Sequence, residues 1–194
     1  MRDDCTKMEL SISLLKDYMI NEVQALADLT IGKGLVSQTE IQLAINNDLA
    51  YVLQKNDDSS VIGFSLNEKI NQKILKSLIN ICTESHKISC ILDQEKEDII
   101  NFTAFGIMPQ YQGHGYGRLL FQTIISDFQA KYDYISALAW KKGDIVPMKK
   151  LLTGAGFNYI GLIKSPYKEV KGIYCDYCQS DVCVCDSCLY LWKQ

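Results

Sequence analysis

At 194 residues, 47% hydrophobic and 22% charged, the chain suits one globular unit with a substantial core and an ordinary soluble composition. A net charge of −3 gives no general attraction to nucleic acid, so polyanion binding would need a local basic patch. No apolar run approaches a membrane span, and the opening Met1-Arg2-Asp3-Asp4-Cys5 lacks the apolar core of a secretory signal. The expected location is the cytoplasm, with neither membrane nor nucleic acid as partner.

Met8 to Leu14 alternates Glu9, Ser11 and Ser13 with Leu10, Ile12 and Leu14, the period of a half-buried first strand. A helix fits Lys16 to about Thr30, with Met19, Val23, Leu26 and Ala27 on one face and Gly32-Lys33-Gly34 as its stop. Ser37-Gln38-Thr39-Glu40 has capping-box spacing, in which serine and glutamate each satisfy a free N–H, and opens a second helix through about Asn46. Ala50 to Lys55 and Ser60 to Leu66 read as a hairpin around Asn56-Asp57-Asp58-Ser59. The stretch from Asn67 to Glu97 is longer than a hairpin needs. Within it Ile70, Ile74, Leu75 and Leu78 suggest a short helix, while Glu84 to Lys87 and Asp93 to Glu97 are polar enough for loops.

Phe105 to Leu120 reads as a strand running into a glycine-rich turn that opens a helix. Gly113, Gly115 and Gly117 leave three alternate residues without side chains, so successive backbone N–H groups can point into one small volume and meet an anion. The helix that follows directs its positive dipole end at the same spot. Leu120, Ile124, Ile125 and Phe128 give it a buried stripe. A Walker loop would end in Gly-Lys-Ser or Gly-Lys-Thr, and this chain has Gly117-Arg118-Leu119. A dinucleotide fold would place such glycines in the first strand-helix unit, with an acid roughly twenty residues on. On glycine spacing alone, a tight connection without a ligand remains the alternative. Farther along, Tyr134 to Trp140 reads as a strand, Val146 to Gly154 as a helix and Phe157 to Ile163 as a strand.

The run Gln112-Gly113-His114-Gly115-Tyr116-Gly117 resembles the acyl-CoA signature of the GNAT superfamily of CoA-dependent N-acetyltransferases: Gln or Arg, two residues, Gly, one residue, then Gly or Ala. Ile107-Met108-Pro109-Gln110-Tyr111 is similar to the family's lead-in, where the strand splays at a bulge, and Ala155-Gly156-Phe157 to the Gly-Phe that ends its next helix. The likeness runs from about residue 8 to the C-terminus, with excursions at 67–97 and 165–188. It implies one α/β domain over 1–194, a mixed, mostly antiparallel sheet with helices on both faces and a central splay between parallel strands at 100–108 and 134–140. It further implies acetyl-CoA as co-substrate in that splay, held by Phe105, Gly106, Ile107, Gln112, Gly113, His114, Gly115, Tyr116, Gly117 and Arg118. The acetyl group would pass to a primary amine, on a small molecule or a protein, that attacks directly in a ternary complex. The 67–97 excursion would lie beside the acceptor side and shape the acceptor pocket, unless it is a solvated surface insertion.

Two positions depart from the family pattern. Where many members have a tyrosine that protonates the leaving thiolate, four residues before the glycine of Gly-Phe, this chain has Leu152, and where some have an acid used as base it has Asn101. Glu97 and Asp98 could act through a water, but suit solvated charge at a loop end; Tyr111 suits packing and Tyr116 a helix start. His114 is read as a backbone donor in the turn, and His86 as a loop histidine. No catalytic base is named, and proximity with oxyanion stabilisation could carry much of the rate.

Five of the eight cysteines fall between Cys175 and Cys188. A CxxC lets two thiolates grip one metal from a tight turn, and a CxC in extended chain points two sulfurs to one side, which together supply four ligands for a structural zinc. Disulfides suit a reducing compartment poorly, and a redox CxxC should precede a helix in a thioredoxin-like unit. The preferred ligands are Cys175, Cys178, Cys183 and Cys185, in a knuckle at 175–188. The alternative pairs Cys185 with Cys188, but Cys188 to Trp192 alternates like a last strand. A subset of GNAT-like proteins is similar in carrying such a C-terminal group. Cys5, Cys82 and Cys90 are read as buried or loop thiols, and Lys164, Lys168 and Lys171 as a solvated face. A nucleic-acid knuckle would be opposed by Asp176, Asp181 and Asp186 among the ligands. Two rivals to the enzyme reading remain: a CoA-binding domain without catalysis, and an interaction protein that docks a partner through the knuckle.

Overall fold

The computed structural model describes residues 9–83 and 99–194. The elements are β1 (Leu10–Leu14), α1 (Ile20–Thr30), α2 (Gln38–Asn46), β2 (Ala50–Lys55), β3 (Val61–Ile70), α3 (Gln72–Asn80) and β4 (Ile99–Ile107), then α4 (Tyr116–Gln129), β5 (Tyr134–Lys141), α5 (Lys149–Gly154), β6 (Asn158–Ile163) and β7 (Asp186–Lys193). Among the described residues seven strands form one sheet in the order β1-β2-β3-β4-β5-β7-β6. Its neighbours are antiparallel except β4 and β5, which run parallel.

Alternation along the strands assigns the two faces. Ile135, Ala137 and Ala139 of β5 pack with Leu120, Phe121, Ile124 and Phe128 of α4 and Leu152 of α5. On the opposite face, Ala50, Val52, Phe64, Leu66 and Ala104 pack with α1 and α2, and Tyr134, Leu189 and Leu191 pack with Leu75 and Ile79 of α3. Phe102 anchors the first cluster, its ring centroid 5.5 Å from Phe121 and 5.7 Å from Phe128. Each such buried phenyl contributes about 1.5 to 3 kcal/mol through area removed from water.

The splay has a local cause. Leu66 pairs with Ala104 and Asn67 with Phe102, so Thr103 is an extra residue in β4, and its Oγ1 donates to Leu66 O at 2.9 Å. A bulge of this kind bends the strand that carries it. The parallel ladder between β4 and β5 accordingly stops after Ile100–Ile135, Asn101–Ser136 and Phe102–Ala137. Beyond it the facing edges of the two strands have no partner strand among the described residues.

Several boundaries differ from the sequence reading. The first helix opens as a 3₁₀ turn over Asp17–Met19, although Met19, Val23, Leu26 and Ala27 are buried as the pattern requires. The capping box forms, with Glu40 N donating to Ser37 Oγ and Ser37 N to Glu40 Oε2. The second hairpin strand runs on to Ile70, because pairing with β4 carries Asn67, Glu68 and Lys69 through weak strand propensity. Ile70 therefore belongs to the strand, Asn71 caps α3, and Ile74 is exposed while Leu75 and Ile79 are buried. The helix expected from Val146 begins at Lys149, since Pro147 disfavours helical backbone at Val146. The parallel strands occupy 99–107 and 134–141. No helix among the described residues is long and apolar enough to cross a membrane.

Candidate functional site

Gly113 and Gly115 adopt left-handed backbone, with φ of 80° and 86°, and Gly115 is the N-cap of α4. Gln112 Nε2 donates to Ile107 O at 2.8 Å, tying the turn to the end of β4. Leu119 N bonds Gly115 O, and Gln112 N bonds Pro109 O. Between them the backbone N–H groups from Gly113 to Arg118 make no hydrogen bond to a described residue. Six consecutive donors at the positive end of a helix are the arrangement that suits an anion. A Cβ at Gly117 would lie 3.3 Å from Ile107 Cγ1, so the turn also seats closely on the strand. His114 is exposed, its ring stacked on Tyr116 and its Nδ1 2.8 Å from Gln112 O.

A cavity of about 670 Å³ occupies the splay. Gly117, Met148, Leu151 and Leu152 line it from the α4 and α5 face, while Leu35, Val36, Glu40, Trp140 and Tyr167 line it from the other. It therefore passes through the sheet between the parted strands. Phe105, Gly106, Ile107, Gln112 and Gly113 complete the lining at the end nearest the glycine turn. Gly106 has a packing reason of its own: a Cβ there would lie 2.4 Å from Thr30 Oγ1 and 2.7 Å from Phe64. None of residues 67–83 lines the cavity; α3 packs on β6 and β7 instead. Residues 84–98 of that excursion lie outside the described residues, with His86, Cys90, Glu97 and Asp98, as does Cys5.

No family model matches the chain, nor does any curated protein. Among solved structures it is similar to a chain of the NatC complex bound to Gag peptide and CoA, at 14% identity over 96% of this chain and 99% of that one, with a TM-score of 0.67. It is similar also to an N-acetyltransferase from Staphylococcus aureus, at 15% identity, 95% and 98% coverage and a TM-score of 0.62. The fold is the GNAT fold. The same fold appears in the GNAT-like decarboxylase GphF in complex with isobutyryl-CoA, at 12% identity, 94% and 98% coverage and a TM-score of 0.65. Architecture alone thus leaves the chemistry to the residues of the site.

Within this GNAT fold, Leu152 lines the cavity but is otherwise fully buried. Asn101 sits one pair before the β4–β5 ladder ends, donating to Glu68 Oε1 and accepting from Ser136 Oγ, both at 2.9 Å. Neither residue can transfer a proton. The carboxylate in the wall is Glu40, the one acid among the described lining residues. Its Oε2 accepts from Ser37 N and Ser37 Oγ, each at 2.7 Å, and Oε1 has no bond to a described residue. The sequence shows Glu40 as a helix cap; nothing in its spacing shows that the cap faces a cavity.

The chain between β6 and β7 folds back over this second face. Tyr174 N donates to Lys33 O at 2.9 Å, and a Cβ at Gly34 would lie 2.3 Å from Gly172 O. Backbone thus meets backbone across the loop between α1 and α2. The Sγ atoms of Cys175, Cys178, Cys183 and Cys185 lie within 4.8 Å of one another. Cys175 and Cys178 are 3.9 and 3.5 Å from Cys185, close to the ~3.8 Å edge of a tetrahedron with zinc–sulfur bonds of about 2.3 Å. Cys178 N donates to Cys175 Sγ at 3.4 Å. Cys188 lies apart on β7, opposite Ala139 and Leu162. Burial pushes the Cys183 thiol up to about 11 and raises Cys185 as well. Burial also acts upward on Cys178, but the Val184 N–H and the neighbouring thiols outweigh it and lower that group. Four thiols so enclosed ionise together only with a cation among them, so the donor set and geometry fit zinc.

Cys175, Cys183, Cys185 and Ile173 pack against Leu35, Trp140 and Tyr167, which are the cavity wall. Among the described residues two buried polar atoms, Trp140 Nε1 and Ser187 Oγ, lack a partner of hydrogen-bond geometry. They face the Cys185 thiol and the Tyr167 hydroxyl respectively. The cysteine cluster is thus the foundation of one side of the cavity.

Proposed function

We propose that the chain, as a single domain over 1–194, transfers an acetyl group from acetyl-CoA to a primary amine. The carrying observation is the passage through the sheet, which joins the six unpartnered N–H groups of the phosphate turn to the Glu40 side. The pyrophosphate sits on Gly113, His114, Gly115, Tyr116, Gly117 and Arg118, and the pantetheine runs along Phe105, Gly106 and Ile107. The thioester carbonyl then lies at the parted strands, where a free backbone N–H polarises it. The amine enters from the Glu40 face as an ammonium and gives a proton to Oε1, directly or through water. Its lone pair forms the C–N bond, the tetrahedral intermediate loses its second N–H proton to a water as it collapses, and the departing CoA thiolate takes a proton back from that water. No covalent enzyme intermediate is involved. Cys175, Cys178, Cys183 and Cys185 would hold a structural zinc that supports the acceptor wall, and four thiols kept reduced suit a reducing compartment, the cytoplasm.

Glu40→Gln separates cap from charge, because glutamine also completes a capping box. With acetyl-CoA and the best amine of a panel, followed by free-thiol release, kcat/KM is expected to fall by about 100-fold, with the melting temperature held. An unchanged rate removes Glu40 as the proton acceptor.

Leu152 and Asn101 favour one second reading, a CoA-binding domain without catalysis. Leu152→Tyr distinguishes the two. Robust wild-type turnover that the substitution changes only modestly supports the transferase, and a rate that appears only in the variant supports the binding domain.

A further inference from the structure

We infer that the acceptor carries a carboxylate as well as its amine, and that Lys142 holds that carboxylate; this rests on the transferase reading above. Two charged side chains line the cavity among the described residues, Glu40 and Lys142. Of the uncharged polar side chains of the wall, Thr30 bonds Leu26 O, Thr103 bonds Leu66 O, Gln112 bonds Ile107 O, and Asn101 bonds Glu68 and Ser136, while the buried Trp140 Nε1 faces the Cys185 thiol. The Tyr167 hydroxyl faces Ser187. Lys142 forms no ion pair with a described residue. The nearby acid Asp144 lies 3.9 Å from Lys141 instead.

The ammonium of Lys142 is held as well as unpaired. It lies 4.3 Å from the Trp140 ring centroid, a contact that keeps the cation beside the wall without neutralising it. Its backbone is fixed by a reciprocal pair, Lys142 N to Ile145 O at 2.8 Å and Ile145 N to Lys142 O at 3.0 Å. Gly143, at the tip of that turn with φ of 57°, sits under the Tyr177 hydroxyl, which would be 2.6 Å from a Cβ there. Tyr177 lies inside the Cys175–Cys178 loop, so the cysteine cluster also braces the turn that carries Lys142.

The strand places Lys142 with the acceptor rather than with CoA. Trp140 belongs to the β5 face opposite Ile135, Ala137 and Ala139, which pack under α4 and α5. The phosphate turn opens α4, on the far side of the sheet from Trp140. An acceptor that spans Glu40 and Lys142 meets a carboxylate at its ammonium and an ammonium at its carboxylate, with Leu35, Val36 and Tyr167 along its body. Its chemical class is an amino acid, or a peptide with an acidic residue near its free N-terminus.

The test uses full-length, zinc-loaded protein with acetyl-CoA and paired acceptors: phenylalanine, 4-aminobutyrate and 6-aminohexanoate, each against its amide, and a Met-Glu peptide against Met-Gln. Wild type is expected to prefer at least one acid over its amide by about tenfold or more in kcat/KM. The pair that shows the preference tells free amino acid from peptide. Lys142→Met should bring that acid down to its amide, Lys142→Arg should restore much of the preference, and the acetyl-CoA KM should stay constant in both. Equal use of acids and amides by wild type overturns the proposal and leaves the transferase reading standing. So does a Lys142→Met defect confined to the acetyl-CoA KM, which assigns the ammonium to a CoA phosphate. If no amine turns over, the transferase reading itself fails. The same pairs are then read by thermal shift on CoA-saturated protein, where no difference between acid and amide overturns the inference.

Discussion

Gly115→Val should abolish the stabilisation that acetyl-CoA gives the wild-type protein. A ligand that binds only the native state adds about 2.7 kcal/mol at a hundredfold excess over its dissociation constant, or about 5 to 10 °C in melting temperature for a chain of this size. Gly115 has φ of 86°, and nothing lies within 4 Å of a Cβ there. The β-carbon itself therefore meets open space. The substitution strains the backbone by about 1 to 3 kcal/mol and turns the N-cap out of the conformation that leaves the N–H row free. The unliganded variant should melt somewhat lower than wild type and show no acetyl-CoA shift. Gly117→Val should lose the shift as well, through its contact with Ile107. An undiminished shift in Gly115→Val would remove the phosphate cradle from the site.

The sequence made this turn legible because its requirement is local: left-handed glycines and a helix start lie within a few residues of one another. The capping box and the buried stripe of α4 were legible for the same reason. The rest of the site depends on partners distant in the chain. Thr103 becomes a bulge only through pairing with β3, and Glu40 reaches the cavity only because α2 packs on β2 and β3, beside the parted strands. Gly32 and Gly34 read as a helix stop, yet Gly34 also answers to Gly172, which approaches it from far along the chain. The run Asn67-Glu68-Lys69 has weak strand propensity and is held as strand by its neighbour. The four cysteines were legible as a set by spacing. Their place beneath Trp140 and Tyr167 was not, since it follows from how the β6–β7 connection folds back.

That placement sets the second expected result. Freshly prepared, reduced protein should hold about one zinc per chain, and Cys175→Ser or Cys178→Ser should release it. Cys188→Ser should keep the metal, because Cys188 belongs to the β7 ladder and lies outside the cluster; metal lost from that variant would move the ligand set to Cys185 and Cys188. A Cys₄ site couples binding to local folding, at about 10 to 16 kcal/mol in isolated zinc-finger peptides. Here the loss should fall first on the segment between β6 and β7. Ile173, Cys175, Cys183 and Cys185 would no longer support Leu35, Trp140 and Tyr167, so the acceptor KM should rise by tenfold or more, on the order of 1.4 kcal/mol. The phosphate turn sits on Ile107 and α4, away from the cluster, and the acetyl-CoA melting shift should persist. Zinc content by metal analysis, acceptor KM and the acetyl-CoA shift therefore separate three outcomes. Absence of zinc in wild type ends the metal reading. Loss of the acetyl-CoA shift together with the metal would show the cluster supporting the whole sheet. Loss of acceptor binding alone is the result expected from a wall that rests on four thiolates.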